Sequence, residues 1–188
     1  MVAASAAGAR SSVRRACLFF LFFVLLSFGA LALGGCARGA PDAAAGTVTV
    51  VRVIDGDTIE VLDPQRGRVR VRYIGVDTPE ISGPAECFGP EAHARNRALV
   101  EGKQVRLERD TSDTDRYGRW LRYVFVGETF VNGALVQGGY AAAVCYPPDL
   151  KRQETLEALE REARAEQRGL WGPACAAAPH RRPRFRER

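Results

Sequence analysis

The chain has 188 residues and a formal net charge of +5, with 27 Lys and Arg against 22 Asp and Glu. This length suits one globular domain and is short for two once non-globular ends are removed, so we expect a single hydrophobic core. The basic balance rests on arginine, because Lys103 and Lys151 are the only lysines. Such a charge favours polyanionic partners, although arginine-rich usage also follows from codon bias.

The N-terminal segment has the pattern of an export signal. Three arginines precede an apolar stretch over residues 16–33, as in a signal peptide. The Leu-Gly-Gly-Cys run at 33–36 resembles a bacterial lipoprotein box, in which the cysteine is lipid-modified and becomes the new N-terminus. The sequence therefore predicts a lipoprotein-type signal peptide over residues 1–35, lipidation of Cys36 and a flexible linker over residues 36–46.

Two alternatives stay open for this segment. The apolar stretch is also long enough for a retained membrane anchor. Arg14-Arg15 would fit a twin-arginine signal, although paired arginines are common in basic leaders. We therefore expect an exported protein, either lipid-anchored to the cell envelope through Cys36 or secreted.

The first part of the domain reads as three strands. Residues 47–54 and 58–62 are rich in β-branched side chains and are separated by a tight turn at Asp55-Gly56-Asp57. A second turn at residues 63–67 carries Asp, Pro and Gly. Residues 68–73 then alternate strictly, with apolar side chains on one face and three arginines on the other. One face of this strand is predicted to be core and the other cationic.

The remainder alternates helices and strands. A helix is predicted from Gly89 to Val100, with proline at its first positions and a glycine beyond its end. Further elements follow in order, and they are strands over 104–108, 120–126 and 129–131, a loop over 110–119, and helical segments over 134–137 and 151–168. The last helix carries an apolar stripe opposite its charges. Residues 173–188 are predicted to be a disordered basic tail.

These elements predict a mainly β domain with helices, in the α+β class, over residues 47–172. Five short strands and about three helices fit a strongly bent barrel. An OB-fold is the natural member of that class, and its open face commonly binds oligonucleotides.

Acidic and arginine residues concentrate at three points of the chain, in Asp55-Gly56-Asp57, in Asp77-Thr78-Pro79-Glu80 and in Tyr117-Gly118-Arg119. Taken singly, each run is an ordinary turn or loop. Together they supply what cleavage of a phosphodiester needs, because carboxylate and carbonyl oxygens suit a hard cation such as calcium.

The other side chains complete this chemistry. A carboxylate that does not bind the metal, Glu80, could orient or deprotonate a water. Arg72 and Arg119 cannot lose their protons and could grip phosphate oxygens as negative charge develops. The combination predicts metal-assisted attack on a phosphate.

In these runs the chain resembles the thermonuclease family, the staphylococcal-nuclease-like endonucleases. The matching segments are residues 53–58, 72–80, 89–92, 115–119, 132–136 and 170–171. The resemblance covers about residues 47–172 and implies an OB-fold nuclease that hydrolyses DNA and RNA with calcium. It also implies products that end in 3'-phosphate.

The resemblance also assigns roles to individual residues. It implies metal ligands, which are Asp57, Asp77 and the Thr78 carbonyl. Asp55 and Glu80 would act near the ion through water. It implies a catalytic set, which is Arg72, Glu80 and Arg119.

Substrate contacts are expected from Tyr117 and Arg116, and from Tyr146, which falls near the family's base-pocket tyrosines. The segment over residues 81–88 is shorter and less basic than the corresponding family loop, which bears on affinity more than on chemistry.

Cys87, Cys145 and Cys175 lie in the part predicted to be exported. Three cysteines cannot all pair, and an oxidising compartment favours a disulfide. We expect Cys87 to pair with Cys145, because both lie in loops that flank the predicted site. The alternative is an unpaired, buried cysteine that packs as a small apolar side chain.

The sequence thus predicts a monomeric, calcium-dependent endonuclease with DNA and RNA as substrates and no protein partner. One alternative is a non-catalytic, nucleic-acid-binding OB-fold lipoprotein of the envelope. Another is a structural envelope lipoprotein whose acidic loops bind calcium only for stability.

Overall fold

The structure is a computed structural model that describes residues 46–82, 84 and 86–176. The predicted signal peptide, the lipidation site Cys36 and residues 177–188 of the predicted tail lie outside these residues. Within the described part of the chain, no helix has the length and apolar character needed to cross a membrane.

Five strands form a closed barrel, as the sequence predicts. They are β1 (Thr47–Val53), β2 (Thr58–Asp63), β3 (Gly67–Tyr73), β5 (Gln104–Glu108) and β6 (Trp120–Val126). The order is β3-β2-β1-β5-β6, with antiparallel neighbours, and a parallel pairing of β3 with β6 closes the barrel. The predicted α+β fold of the OB type is therefore confirmed.

The remaining elements cover this barrel. The short strands are β4 (Val76–Asp77), β7 (Thr129–Phe130) and β8 (Ala142–Ala143). The helices are α1 (Gly89–Val100), α2 (Val131–Gln137), α3 (Gln153–Ala165) and α4 (Pro173–Ala176), and a 3-10 turn spans Gly169–Trp171. Strand β4 pairs with β8 in a separate two-stranded sheet, which the sequence does not predict because each strand has only two residues.

The alternation in β3 determines which side chains reach the core. Val71 and Tyr73 are fully buried, whereas Arg68 and Arg70 are exposed. The pairing of β2 with β3 brings Thr58 opposite Arg72. The β1–β2 turn and the end of β3 are thereby adjacent, and both carry predicted site residues.

Helix α2 begins earlier than the predicted segment over 134–137. Asn132 and Gly133 precede the predicted segment, but Asn132 is fully buried and lies within the helix. Its side chain accepts a hydrogen bond from Val124 N at 3.0 Å and donates one to the Ile74 carbonyl at 2.9 Å. These two bonds hold α2 against β6 and against the residue that follows β3.

The disulfide differs from the predicted one. Cys87 pairs with Cys175, with a Cα separation of 5.7 Å, and Cys145 is a half-buried free cysteine. The reason is that residues 173–176, predicted to belong to a disordered tail, form α4 with Cys175 fully buried. The 3-10 turn over Gly169–Trp171 contacts α4. Cys175 of α4 lies beside Cys87, which precedes α1.

Candidate active site

One cleft of about 360 Å³ collects the predicted site residues. All ten line it, namely Asp55, Asp57, Arg72, Asp77, Thr78, Glu80, Arg116, Tyr117, Arg119 and Tyr146. They come from the β1–β2 turn, β3, β4 and three loops, so the fold unites parts of the chain that are far apart in sequence.

Asp57 is the most deeply buried carboxylate of the predicted site residues, with 4% of its surface exposed. It accepts hydrogen bonds from Thr78 N at 3.0 Å and from the Thr58 hydroxyl at 3.1 Å. Gly56 makes this approach possible, because a Cβ built there would lie 2.6 Å from the Thr78 hydroxyl oxygen. The β1–β2 turn is therefore packed directly onto the segment that follows β4.

The guanidinium of Arg72 joins two predicted metal ligands. Its Nη1 contacts Asp57 Oδ1, and its Nη2 donates to Asp77 Oδ1 at 3.0 Å and to the Val76 carbonyl at 3.2 Å. A buried carboxylate requires such a partner, because an unpaired buried charge is strongly unfavourable. Asp57 and Asp77 therefore both face the Arg72 guanidinium.

Asp55 lies at the start of the same turn. Burial raises the pKa of its carboxyl above the ordinary value, while the charges of Arg72 and Arg119 and a hydrogen bond with Thr58 oppose that rise. Helix α1 fixes the backbone of Asp55, because the Asp55 carbonyl accepts a hydrogen bond from the Asn96 side chain at 3.1 Å.

Glu80 is the most exposed carboxylate of the predicted set and follows β4 by three residues. Burial of part of the group raises its pKa, the charges of Asp55 and Asp77 raise it further, and Arg72 opposes them. A carboxylate with a raised pKa is a stronger base than free glutamate, which suits proton transfer near neutral pH. Its backbone is held by Glu86, through a bond from Glu86 N to the Glu80 carbonyl at 3.0 Å.

Arg119 lines the same cleft and lies just before β6. Asp115 Oδ2 accepts bonds from its Nε and its Nη2, both at 2.7 Å. Asp115 Oδ1 also accepts from the backbone N–H groups of Tyr117 and Arg119, at 2.9 and 3.0 Å. This one carboxylate thus shapes the loop and orients the guanidinium.

Tyr117 lies at the mouth of the cleft, with 61% of its surface exposed. Its hydroxyl accepts a hydrogen bond from Arg116 at 2.9 Å, and the Arg119 guanidinium lies 5.5 Å from its ring centre. An exposed aromatic ring flanked by two arginines is a suitable surface for a phosphate and its base.

The oxygen donors of the cleft suit calcium in kind. Asp57 and Asp77 converge on one guanidinium, and Asp55 lines the same cleft. Calcium takes six to eight oxygen ligands in flexible geometry, so carboxylates, a carbonyl and waters form an appropriate set. No cluster of three or more His, Cys, Asp or Glu side chains with metal-binding geometry occurs in the part of the chain that the structure describes.

Two positioning residues were missed by the sequence reasoning. Asn96 is fully buried in α1 and accepts a hydrogen bond from the Tyr73 hydroxyl at 2.9 Å while it bonds to the Asp55 carbonyl. In the sequence, the sign of this role is that the polar Asn96 lies four positions from both Ala92 and Val100 and therefore on the same face of the helix. Both of those residues are buried. Asp115 gives a similar signal, since an Asp two residues before the exposed Tyr117 favours a turn closed by its own side chain.

Comparison with known proteins finds nucleases. The family described as staphylococcal nuclease homologue matches residues 70–173. A thermonuclease of Staphylococcus hyicus is 39% identical over 128 residues, which is 66% of this chain and 75% of that protein. A thermonuclease of Staphylococcus intermedius is 37% identical over 141 residues, 73% of this chain and 83% of that protein. Endonuclease YncB of Bacillus subtilis is 39% identical over 129 residues, 66% of this chain and 61% of that protein.

Proposed function

Because the chain belongs to the staphylococcal nuclease homologue family and is a nuclease, we propose that it is a calcium-dependent endonuclease that cleaves DNA and RNA. We further propose that its products end in 3'-phosphate. One observation carries the proposal. The Arg72 guanidinium contacts Asp57 and Asp77 inside a single cleft that Glu80 and Arg119 also line.

The proposed metal ligands are Asp57, Asp77 and the Thr78 carbonyl, with Asp55 and Glu80 acting through water. A bound calcium ion would polarise the phosphate and reduce the negative charge that an attacking oxygen meets. The donor set supports calcium over softer metals, since every proposed ligand is an oxygen.

The protein's own side chains carry the proposed reaction. Glu80 takes a proton from a water, and the water oxygen bonds to phosphorus. The bond from phosphorus to the 5' oxygen of the next nucleotide breaks, and that oxygen takes a proton from solvent and leaves as a hydroxyl group. The phosphate stays on the 3' oxygen. Arg72 and Arg119 bind the phosphate oxygens as their negative charge grows. Asp115 orients Arg119 for this contact.

The cofactor and product proposals share one experiment. The purified protein is incubated with plasmid DNA and with RNA, in the presence of calcium, magnesium or chelator. We expect digestion with calcium and none with chelator. Oligonucleotide products should be extended by a DNA polymerase only after phosphatase treatment. Equal digestion in chelator, or products that are extended directly, would contradict the proposal.

Two variants test the assigned roles. Glu80→Gln and Arg119→Ala should each lower turnover on single-stranded DNA by about a hundredfold or more, the scale of losing one general base or one charge-stabilising donor. Glu91→Gln, an exposed change on α1, serves as the control and should keep the wild-type rate. Near wild-type rates for both site variants would show that the roles are misassigned.

We also propose that the protein is exported and that lipid on Cys36 holds it at the cell envelope. The Cys87–Cys175 disulfide supports export, because disulfides persist in oxidising compartments. Cys36→Ala should move the protein from the membrane fraction to the soluble exported fraction. A variant that stays in the membrane fraction would instead favour the apolar stretch as a retained anchor.

A further inference from the structure

The outer face of β3 extends away from the cleft as a row of arginines. Arg68, Arg70 and Arg72 alternate with core side chains, so all three lie on the same face of the strand. Arg72 lines the cleft, whereas Arg68 and Arg70 are exposed. Residues two apart on a strand are separated by about 6.5 Å, which places Arg68 about 13 Å from Arg72.

The positive charge of this row is only partly compensated. Glu60 of β2 lies opposite Arg70 in the register and forms an ion pair with Arg68 at 2.6 Å. Arg52 of β1 lies opposite the same Glu60 from the other side. Among the described residues, the Arg70 side chain has neither an ion pair nor a hydrogen bond. One carboxylate therefore faces three exposed arginines.

A strand face of this kind carries an energetic cost that a polyanion would relieve. Like charges on neighbouring positions of a sheet repel one another. An exposed face that served only solubility would be expected to mix both signs. Phosphates that bind along the row would neutralise the repulsion and release counterions.

We propose that Arg68 and Arg70, on the outer face of β3, bind the phosphate backbone of the polynucleotide beyond the phosphate that is cleaved. The proposal rests on the proposed function, since it places the cleaved phosphate at Arg72. A row of about 13 Å spans at most about four phosphates of one strand, at about 3.4 Å of axial length for each. A strand long enough to reach Arg68 gains these contacts, and a very short one does not.

The test compares a trinucleotide with a single-stranded DNA 30-mer. The variant carries Arg68→Gln with Arg70→Gln, and cleavage is measured in calcium. We expect the KM for the 30-mer to rise about tenfold, with kcat unchanged, and kcat/KM for the trinucleotide to stay at the wild-type value. The slope of log(kcat/KM) against log salt for the 30-mer should become shallower by about 1.4, which is two contacts at about 0.7 each.

A matched control separates this surface from the general charge of the protein. Arg97→Gln with Arg161→Gln removes the same charge from helices α1 and α3. As in the row, one of the two arginines is paired and the other is not: Arg97 pairs with Glu101 at 2.7 Å, and Arg161 has no ion pair or hydrogen bond of its side chain to a described residue. This control should keep the KM for the 30-mer within about twofold. An equal loss in the control would overturn the proposal.

Glu60→Gln gives a prediction of the opposite sign. This variant removes the carboxylate that faces the row, so the 30-mer should bind more tightly and its KM should fall. An unchanged or raised KM in this variant would contradict the proposal, provided that the melting temperature is that of the wild type.

Binding measured without cleavage keeps the proposal separate from the proposed function. A fluorescent 30-mer is titrated with chelator present, and we expect the Arg68→Gln, Arg70→Gln variant to bind about tenfold more weakly than the wild type. Wild-type binding by that variant overturns the proposal. The proposal is also overturned if kcat/KM falls as much for the trinucleotide as for the 30-mer. It is overturned as well if the variant binds phosphatidylglycerol vesicles more weakly but binds the 30-mer as the wild type does. A wild-type protein that binds the 30-mer through this row but cleaves nothing in calcium would contradict the proposed function alone.

Discussion

Arg72 has two carboxylate partners among the described residues and would bind a phosphate as well in the proposed reaction. Its guanidinium contacts Asp57 and Asp77, and the same group is proposed to bind the cleaved phosphate. Lysine could not replace it, because a single ammonium lacks the planar fork that reaches two carboxylates at once. In the proposed reaction, Arg72 thus links the geometry of the carboxylates to the binding of the substrate.

Asp115 is the residue whose role the structure adds. Asp115→Ala should lower kcat on DNA by about tenfold to a hundredfold, because Arg119 loses the carboxylate that orients it and small misplacements of a catalytic group are costly. The measurement is a double-mutant cycle with Arg119→Ala. In the Arg119→Ala background, the loss of Asp115 should have little further effect on kcat.

Asp115→Asn provides the internal control for that cycle. The amide oxygen can still accept the backbone N–H bonds of the loop but no longer carries charge, so its activity should fall between those of wild type and Asp115→Ala. Additive losses in the cycle would mean that Asp115 acts independently of Arg119.

Gly139, after α2, shows how tightly two elements approach each other. Its φ is +72°, and a Cβ built there would lie 2.2 Å from the Arg168 carbonyl oxygen. Gly139→Ala should therefore lower the free energy of unfolding by more than the about 1–2 kcal/mol of left-handed backbone alone. Urea denaturation of Gly139→Ala beside Gly127→Ala measures the difference.

Gly127 is the matched control because its φ is +54° and nothing lies within 4 Å of its built Cβ. Gly127→Ala should show only the backbone cost. If the two variants lose equal stability, the contact between the end of α2 and Arg168 is unimportant.

Glu108 connects β5 to the start of α3. Burial by itself would raise its pKa, but hydrogen bonds from Arg152 and Lys151 hold the pKa below the ordinary value of 4.5. A lowered folded-state pKa means that this stabilisation is present above about pH 4.5. It is lost as the pH falls through the folded-state pKa.

Glu108→Gln should therefore lower the free energy of unfolding by about 1 kcal/mol at pH 7, as expected for partly exposed pairs. The difference from wild type should shrink as the pH falls below 4.5. Urea denaturation at several pH values tests this, with the exposed Glu128→Gln as the control. A difference that does not change with pH would exclude the ion pairs as its cause.

The sequence predicts most of these elements because local patterns determine them. Helix α1 and strands β5 and β6 have their predicted bounds, since caps, turns and β-branched runs act within a few residues. The short β4–β8 pair depends on contacts between distant parts of the chain, and no local pattern reveals it. The start of α2 depends on the burial of Asn132, which is a tertiary contact.

In the site, too, local runs of sequence predict some residues, whereas contacts between distant parts of the chain determine others. Asp57, Asp77 and Glu80 stand in recognisable runs, and the cleft brings them together. The pairing of Arg119 with Asp115 and the support from Asn96 depend on the folded loops, so the sequence indicates them only weakly. The predicted Cys87–Cys145 disulfide was wrong for a similar reason, because the position of α4 is a property of the whole fold.

At the scale of the whole molecule, the disulfide closes a long stretch of chain. Cys87 and Cys175 are 88 residues apart. A closed loop of that length lowers the entropy of the unfolded chain enough to stabilise the fold by about 4 to 5 kcal/mol at most. Cys87→Ser with Cys175→Ser should lower the free energy of unfolding toward that amount, measured by urea denaturation.

Cys145→Ser is the control for this measurement, because Cys145 forms no disulfide in the described structure. It should keep a urea midpoint close to that of wild type, and reductant should lower the midpoints of both these proteins but not that of the Cys87→Ser, Cys175→Ser variant. An unchanged midpoint in the Cys87→Ser, Cys175→Ser variant would show that the link adds nothing to stability.

The same link affects what happens when the backbone is nicked. The exposed segment around Arg116 and Tyr117 lies between the two cysteines, and exposed loops are preferred places for proteolysis. A protease that cuts once after Arg116 would leave two fragments still joined by sulfur. On a gel run without reductant the cleaved molecule would migrate as one species, and reduction would separate it into two. Such a nicked protein would keep both Glu80 and Arg119, although they would then belong to different polypeptide fragments.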